Sequence, residues 1–269
     1  DNFNKYPEAA DLLRAMIDEG LRFKIFVQCD TQVVRQEDLV ALLGRAGCWQ
    51  MFVGVESFNR ATLVNIQKNQ NRPELYRDIT TLCTRYGIES HFSNIIGFPG
   101  DSEADIQNHL EQVREIRPNF ASFYILCPIP GTQQYDEFLA DGLIVERNLD
   151  RFDATHLTWK HPTLSVSDLR TLLFECYKQF YSAKQLAWNW SQLRGRGRVP
   201  LSDYFGSVSL VLFHRLCGHR GMHPMSGGFG RVALDSASDY KKLRLSRYGI
   251  DLAELPRSIE LSTADKALA

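Results

Sequence analysis

Phe52-Val53-Gly54-Val55-Glu56-Ser57 is an apolar, strand-like run that delivers a carboxylate at its C-terminal end. In parallel α/β barrels, side chains at the C-terminal ends of strands turn from core to cavity, and active sites gather there. The design recurs. Ser93-Asn94-Ile95-Ile96-Gly97-Phe98-Pro99-Gly100-Asp101 repeats it, and Ile125-Leu126-Cys127-Pro128-Ile129-Pro130-Gly131-Thr132 repeats it again. Three buried strands, each closing in Gly or Pro with polar residues, suggest one ligand cradled at one end of a parallel sheet.

Working outward, the intervals between these runs carry helix periodicity. Ala9, Leu12, Leu13, Met16 and Ile17 fall on one face of a helix over 7–19, with Pro7 suited to the first turn and Gly20 to the stop. Leu39, Leu42, Leu43 and Ala46 do the same over 36–46, and Leu75, Ile79, Leu82, Cys83 and Tyr86 over 73–86. Ser102 and Asp105 stand as N-cap and N3 of a helix over 102–116. Strands are predicted over 23–28, 50–55, 91–96 and 121–127. Strands alternating with helices of this length indicate right-handed βαβ units, hence a parallel sheet in consecutive order.

The chain has 269 residues, 44% of them hydrophobic, enough for one large domain and an appendage. A formal charge of −1 gives no reason to expect nucleic acid or an anionic membrane as partner. No apolar run approaches the ~18–20 residues of a membrane span, so a cytoplasmic protein is expected. Cys29, Cys48, Cys83, Cys127, Cys176 and Cys217 lie far apart, with no CxxC or CxxxCxxC among them. Such spacing supplies neither a cluster-binding cassette nor a disulfide framework, and most are expected as small buried hydrophobes.

From about residue 149 the alternation stops. Leu169, Leu172, Leu173, Cys176, Tyr177, Phe180 and Tyr181 form one stripe over 167–183, a helix expected to pack on the barrel. Between Ser191 and Arg231 there are six Arg and a single acid, Asp203. Three segments result: 1–148 as barrel, 149–190 as helical extension, and 191–269 as a basic, partly flexible end.

The ordered set Asp1-Asn2-Phe3, a strand ending at Gln28, Ala46-Gly47-Cys48 leading to Gly54-Val55-Glu56-Ser57, Lys68-Asn69-Gln70-Asn71, the Ile95–Asp101 stretch, and Pro128-Ile129-Pro130-Gly131-Thr132 resembles the radical S-adenosylmethionine (radical SAM) enzymes. It is most similar to the subgroup carrying a cobalamin-binding domain ahead of the barrel. The resemblance covers residues 1–145 and weakens through Tyr181. It implies an α/β fold, a partial parallel (β/α)6 TIM-like barrel, with four of six strands present and a C-terminal helical extension. It implies S-adenosylmethionine and a 4Fe–4S cluster as cofactors, with cobalamin from an upstream domain. Reductive cleavage of S-adenosylmethionine would then drive methyl transfer, rearrangement or ring formation on a small molecule, with flavodoxin or ferredoxin as electron donor. The family's CxxxCxxC is absent, which the resemblance explains if the first strands and the cysteine loop precede Asp1. This chain alone is then expected to be inactive and to expose a sheet edge.

The same resemblance implies cofactor-binding roles. Glu56, with Ser57, would face the ribose hydroxyls; Asp1 and Asn2 would meet the methionyl amine; Gln28 would reach the carboxylate or substrate side. Gly97 and Gly100 would line adenine and ribose, and Pro128 and Gly131 would approach adenine. Glu56, Gln28, Gly97 and Pro128 are expected to converge at the C-terminal ends of their strands. The segment from Thr155-His156 through Pro162 resembles a strip that closes over the substrate side, although His156 and His161 read more simply as structural. Cys217, His219 and His223 could be read as metal ligands, but a fourth is missing and Arg215 and Arg220 add unfavourable charge. Two other functions compete: a nucleic-acid-associated module using Arg194-Gly195-Arg196-Gly197-Arg198, and a metal-independent aldolase-like barrel. The first lacks an aromatic platform, and no strand ends in the Lys the second would use.

Overall fold

The computed structural model describes residues 2–146, 148–195, 201–226, 242, 245 and 246. Asp1, Arg196 and Arg198, and nearly all of 227–269, lie outside the described residues.

Four strands, β1 (Ile25–Cys29), β2 (Cys48–Glu56), β3 (Glu89–Ile96) and β4 (Phe120–Ile125), form one sheet in the order β1-β2-β3-β4. All three pairings are parallel. The α/β alternation expected from periodicity is therefore the fold, with α1 (Ala9–Asp18), α2 (Glu37–Arg45), α4 (Tyr76–Arg85) and α5 (Glu103–Ile116) close to their predicted places. Ser102 and Asp105 form the anticipated capping box: Ser102 Oγ accepts from the Asp105 N–H, and the Asp105 carboxylate accepts from the Ser102 N–H. At the other end Arg117 takes a left-handed φ of 57°, and Pro118 keeps the helix from resuming.

Two boundaries shift. β1 ends at Cys29, so Gln28 is its penultimate residue, and β4 stops at Ile125, which leaves Cys127 in the following turn. Two short helices carried too few residues to show a period: α3 (Arg60–Asn65) and α6 (Gln133–Ala140). The 167–183 stripe is α7 (Val166–Phe180), opened by a second capping box at Ser165 and Asp168. α8 (Ala183–Gly195) spans residue 190, and α9 (Leu201–His219) follows.

Side-chain alternation sorts the sheet into two faces. Val27, Cys29, Met51, Val53, Val55, Phe92, Ile96, Phe123 and Ile125 are buried on the face toward the helices. The opposite, inner face carries Phe26, Phe52, His91 and Phe120 as a continuous aromatic row, with ring centroids 6.2, 4.9 and 5.9 Å apart. α9 extends this row: the His214 ring lies 6.3 Å from Phe120, and Asp203 at its other end pairs with Lys24 beside β1. His91 is fixed by Ser122 Oγ at 2.7 Å and Gln50 Oε1 at 3.2 Å, and burial holds its pKa down at about 3.

The two sheet edges are treated differently. Along β4, the Tyr181 hydroxyl donates to Ala121 O (2.7 Å) and accepts from Ala121 N–H (3.1 Å). The Tyr177 hydroxyl accepts from Phe123 N–H (3.1 Å). Edge groups that would otherwise recruit a further strand are thus satisfied by Tyr177 of α7 and by Tyr181, its C-cap residue. β1 is the other edge, and Phe26 on it is 52% exposed.

Among the described residues, no helix is long and apolar enough to cross a membrane.

Candidate functional site

The inner face at the C-terminal end of the sheet is built around Glu56. Register between β2 and β3 runs regularly to Gly54↔Ser93 and then slips, resuming at Glu56↔Asn94. The extra residue is a β-bulge, which re-aims the side chain that follows it. Glu56 accordingly has φ 63°, a conformation unusual for a residue with a side chain. Its carboxylate folds back over Gly54, where a Cβ would stand 2.7 Å from Glu56 Oε1. Gly54 is therefore a close-approach glycine, and it places the carboxylate on the inner face.

Lys68 Nζ stands 3.8 Å from Glu56 Oε1, too far for a hydrogen bond. Burial raises the Glu56 pKa, with Lys68 opposing, and the negative charge is felt at Tyr124 of β4 and at Tyr76. A largely desolvated carboxylate with spare acceptor capacity faces this end of the sheet. It can accept hydrogen bonds from a polyhydroxylated ligand, and charged acceptors make the stronger ones.

The other sequence-predicted residues separate into groups. Gln28 shares the inner face and is exposed, but it pairs with Phe52 and so sits lower on the sheet than Glu56. Ser57 is turned away from its neighbour: its Oγ accepts from Asn59 N–H, and it lines a cavity of about 130 Å³ with Ile96, Asp101 and His109. Gly97 has φ 74°, and a Cβ there would press on Leu169 of α7 at 2.8 Å, so packing by itself explains the glycine. Gly100 is exposed in the same turn. Pro128 is buried beyond the end of β4, and Gly131 (φ 87°) precedes Thr132, the N-cap of α6. Asn2 precedes a 3-10 turn and makes no side-chain capping bond.

Several residues that hold the site together carried no signal in local pattern. Asn4 Nδ2 donates to Asp30 Oδ1 (2.8 Å) and Asn4 Oδ1 accepts from Asp30 N–H (3.0 Å), tying residues 3–5 to the end of β1. Asp101 accepts from Phe98 N–H (2.9 Å) and closes the Gly97–Asp101 turn. His161 Nδ1 accepts from Thr163 and Leu164 N–H, so Nε2 carries the proton it donates to Phe98 O at 2.9 Å. His161 is thus structural. His156 Nδ1 instead meets Asp153 Oδ1 at 2.9 Å, an interaction that helps hold the Asp153 pKa at about 2 against burial.

Cys217, His219 and His223 do not converge: Cys217 is buried, His219 is exposed, and His223 Nε2 meets Phe123 O and the Tyr177 hydroxyl. Among the described residues, no three His, Cys, Asp or Glu side chains are placed to hold a metal ion. All six cysteines are free and scattered over the fold, so they do not fit an iron–sulfur cluster.

Residues 1–113 match the Radical SAM superfamily. That stretch of this chain is similar to the radical SAM superfamily. Among curated relatives, bacteriochlorophyllide d C-12(1)-methyltransferase of Chlorobaculum tepidum is 25% identical over 200 residues, covering 71% of this chain and 43% of that protein. A tRNA-2-methylthio-N(6)-dimethylallyladenosine synthase of Deinococcus radiodurans is 29% identical over 165 residues, covering 57% and 31%. The chain therefore spans less than half the length of these relatives. Among solved structures, the radical S-adenosylmethionine methyltransferase TsrM of Kitasatospora setae, with cobalamin and a 4Fe–4S cluster bound, aligns with TM-score 0.49 and 20% identity, over 53% of this chain and 29% of that one.

Proposed function

We propose that this chain is part of a radical SAM enzyme and binds S-adenosylmethionine on the inner face at the C-terminal end of the sheet, within a protein that performs radical chemistry on a small molecule. The observation that carries the reading is the Glu56 carboxylate, bulged out of β2, folded over Gly54 and held in a desolvated position with unfilled acceptor capacity. Glu56 accepts from the ribose hydroxyls. The backbone of the Gly97–Asp101 and Pro128–Gly131 turns flanks the nucleoside, and Gln28, lower on the open β1 side, faces the substrate.

The chain has no cysteine set for a cluster, so cluster ligation and reductive cleavage fall to residues outside 1–269, with a flavodoxin- or ferredoxin-like donor. Methyl transfer is the favoured outcome, because a curated methyltransferase aligns over 71% of this chain. Cobalamin belongs to the same reading, as the cofactor of an upstream domain. A nucleic-acid substrate is disfavoured, since the overall charge is −1.

The test is equilibrium binding of S-adenosylmethionine to the full-length protein and to Glu56→Gln. Loss of hydrogen bonds to a charged acceptor contributes about 1.5–3 kcal/mol, so Glu56→Gln should weaken binding at least tenfold. Unchanged affinity would remove Glu56 from the site.

A further inference from the structure

The backbone that aims Glu56 depends on two side chains from outside the strands. At the bulge, the carbonyls of Gly54 and Val55 both accept from Asn71 Nδ2, each at 3.0 Å. The Tyr76 hydroxyl lies 2.8 Å from Val55 O and 3.0 Å from Ser57 O, so the same four-residue stretch is gripped from both ends. Neither clamp is free to move. Asn71 is 1% exposed, and its Oδ1 accepts from Thr31 Oγ1 at 2.9 Å, which links the end of β1 to the end of β2. Tyr76 is fully buried, with its ring edge-on to Phe58 at 5.1 Å. Arg60 Nη1 donates to Asn71 O at 2.6 Å, closing the loop that also carries Lys68.

A left-handed φ at a glutamate is unfavourable in isolation, and it persists only where the surroundings over-determine it. Here a Ser57 N–H to Val55 O bond at 2.8 Å closes the turn around Glu56, and Asn71 and Tyr76 add the hold from outside it. Both bond backbone carbonyls, and neither side chain bonds the carboxylate itself.

We infer that Asn71 and Tyr76 are positioning residues that lock the Gly54–Ser57 bulge so that Glu56 presents its carboxylate to the nucleoside. The inference rests on the reading of Glu56 given above and extends it to the residues that enforce its geometry. Residues acting through Glu56 lose their influence on the ligand once Glu56 can no longer make its bonds, whereas residues that merely support the fold do not.

The experiment is a double-mutant cycle on the full-length, cluster-reconstituted protein, read as the S-adenosylmethionine dissociation constant, with amide exchange at residues 54–57 as a second readout. Asn71→Ala and Tyr76→Phe, the second of which keeps the ring packing, should each weaken binding about tenfold and speed exchange at the bulge. In the Glu56→Gln background the same changes should weaken binding by less than about twofold. Equal weakening in both backgrounds would overturn the inference, because the effect would then bypass Glu56. So would unchanged affinity in both single variants. If Glu56→Gln by itself binds like the wild type, the Glu56 reading fails first and the inference falls with it.

Discussion

Replacing Tyr181 with Phe tests how the edge of β4 is closed. The Tyr181 hydroxyl is fully buried and serves both backbone groups of Ala121, donating to its carbonyl at 2.7 Å and accepting from its N–H at 3.1 Å. Removing one oxygen therefore strands two buried backbone groups while leaving the ring in place. Taking about 1–2 kcal/mol for each stranded group, the lower part of the range for an unsatisfied buried polar group, Tyr181→Phe should destabilise by about 2–4 kcal/mol. Tyr177 provides the internal comparison. Its hydroxyl serves Phe123 in the same way, but His223 Nε2 also reaches Phe123 O at 2.8 Å. Tyr177→Phe then strands chiefly the N–H and should cost only about 1–2 kcal/mol. The assay is urea unfolding followed by circular dichroism. With a slope of about 3 kcal/mol/M, the midpoint should fall by roughly 1 M for Tyr181→Phe and by roughly half that for Tyr177→Phe. A Tyr181 shift smaller than the Tyr177 shift would refute the assignment of these hydroxyls as edge partners.

Three other outcomes are expected. Gly54→Ala should leave thermal stability close to wild type, because a flexible carboxylate can move aside and a strand glycine is itself costly; S-adenosylmethionine affinity should nevertheless fall, and retained affinity would show that the close approach of Glu56 Oε1 is irrelevant. Burial lowers the pKa of His109 from 6.5 to about 4. The folded value is depressed, so below about pH 6.5 the unfolded chain takes up the proton first and stability falls as pH drops toward 4. His109→Gln, which can keep the donor to Asn94 Oδ1, should flatten that part of the pH–stability curve, and an unchanged slope would contradict the assignment. Anaerobic reconstitution of residues 1–269 with iron and sulfide should give no stoichiometric 4Fe–4S absorption, and a full cluster spectrum would mean that the scattered cysteines can converge.

The resemblance and the periodicity made the sheet legible because both are local. Alternating apolar residues ending in Glu56, Ile96 and Ile125 mark strands at their own positions, and Ser102 with Asp105 marks a helix start within four residues. Parallel order followed from strand and helix lengths alone. What local pattern could not reveal are contacts between residues far apart in the chain. Gly97 reads equally as a ligand-facing glycine or a packing glycine, and only the arrival of Leu169 from α7 distinguishes them. Glu56 and Ser57 are adjacent in sequence, yet a one-residue bulge turns one toward the inner face and the other toward the helices. Asn71 and Tyr76 reach back to the carbonyls of that bulge, and no strand pattern encodes a partner supplied from a later loop. The basic end of the chain likewise gave no hint that α9 would lay His214 beside Phe120 on the inner face. The sequence by itself determined strands, their order and the carboxylate at the end of β2, since these depend on near neighbours. Where that carboxylate points was decided by the tertiary structure, because a side chain's direction at a bulge is set by whichever distant groups satisfy the displaced backbone.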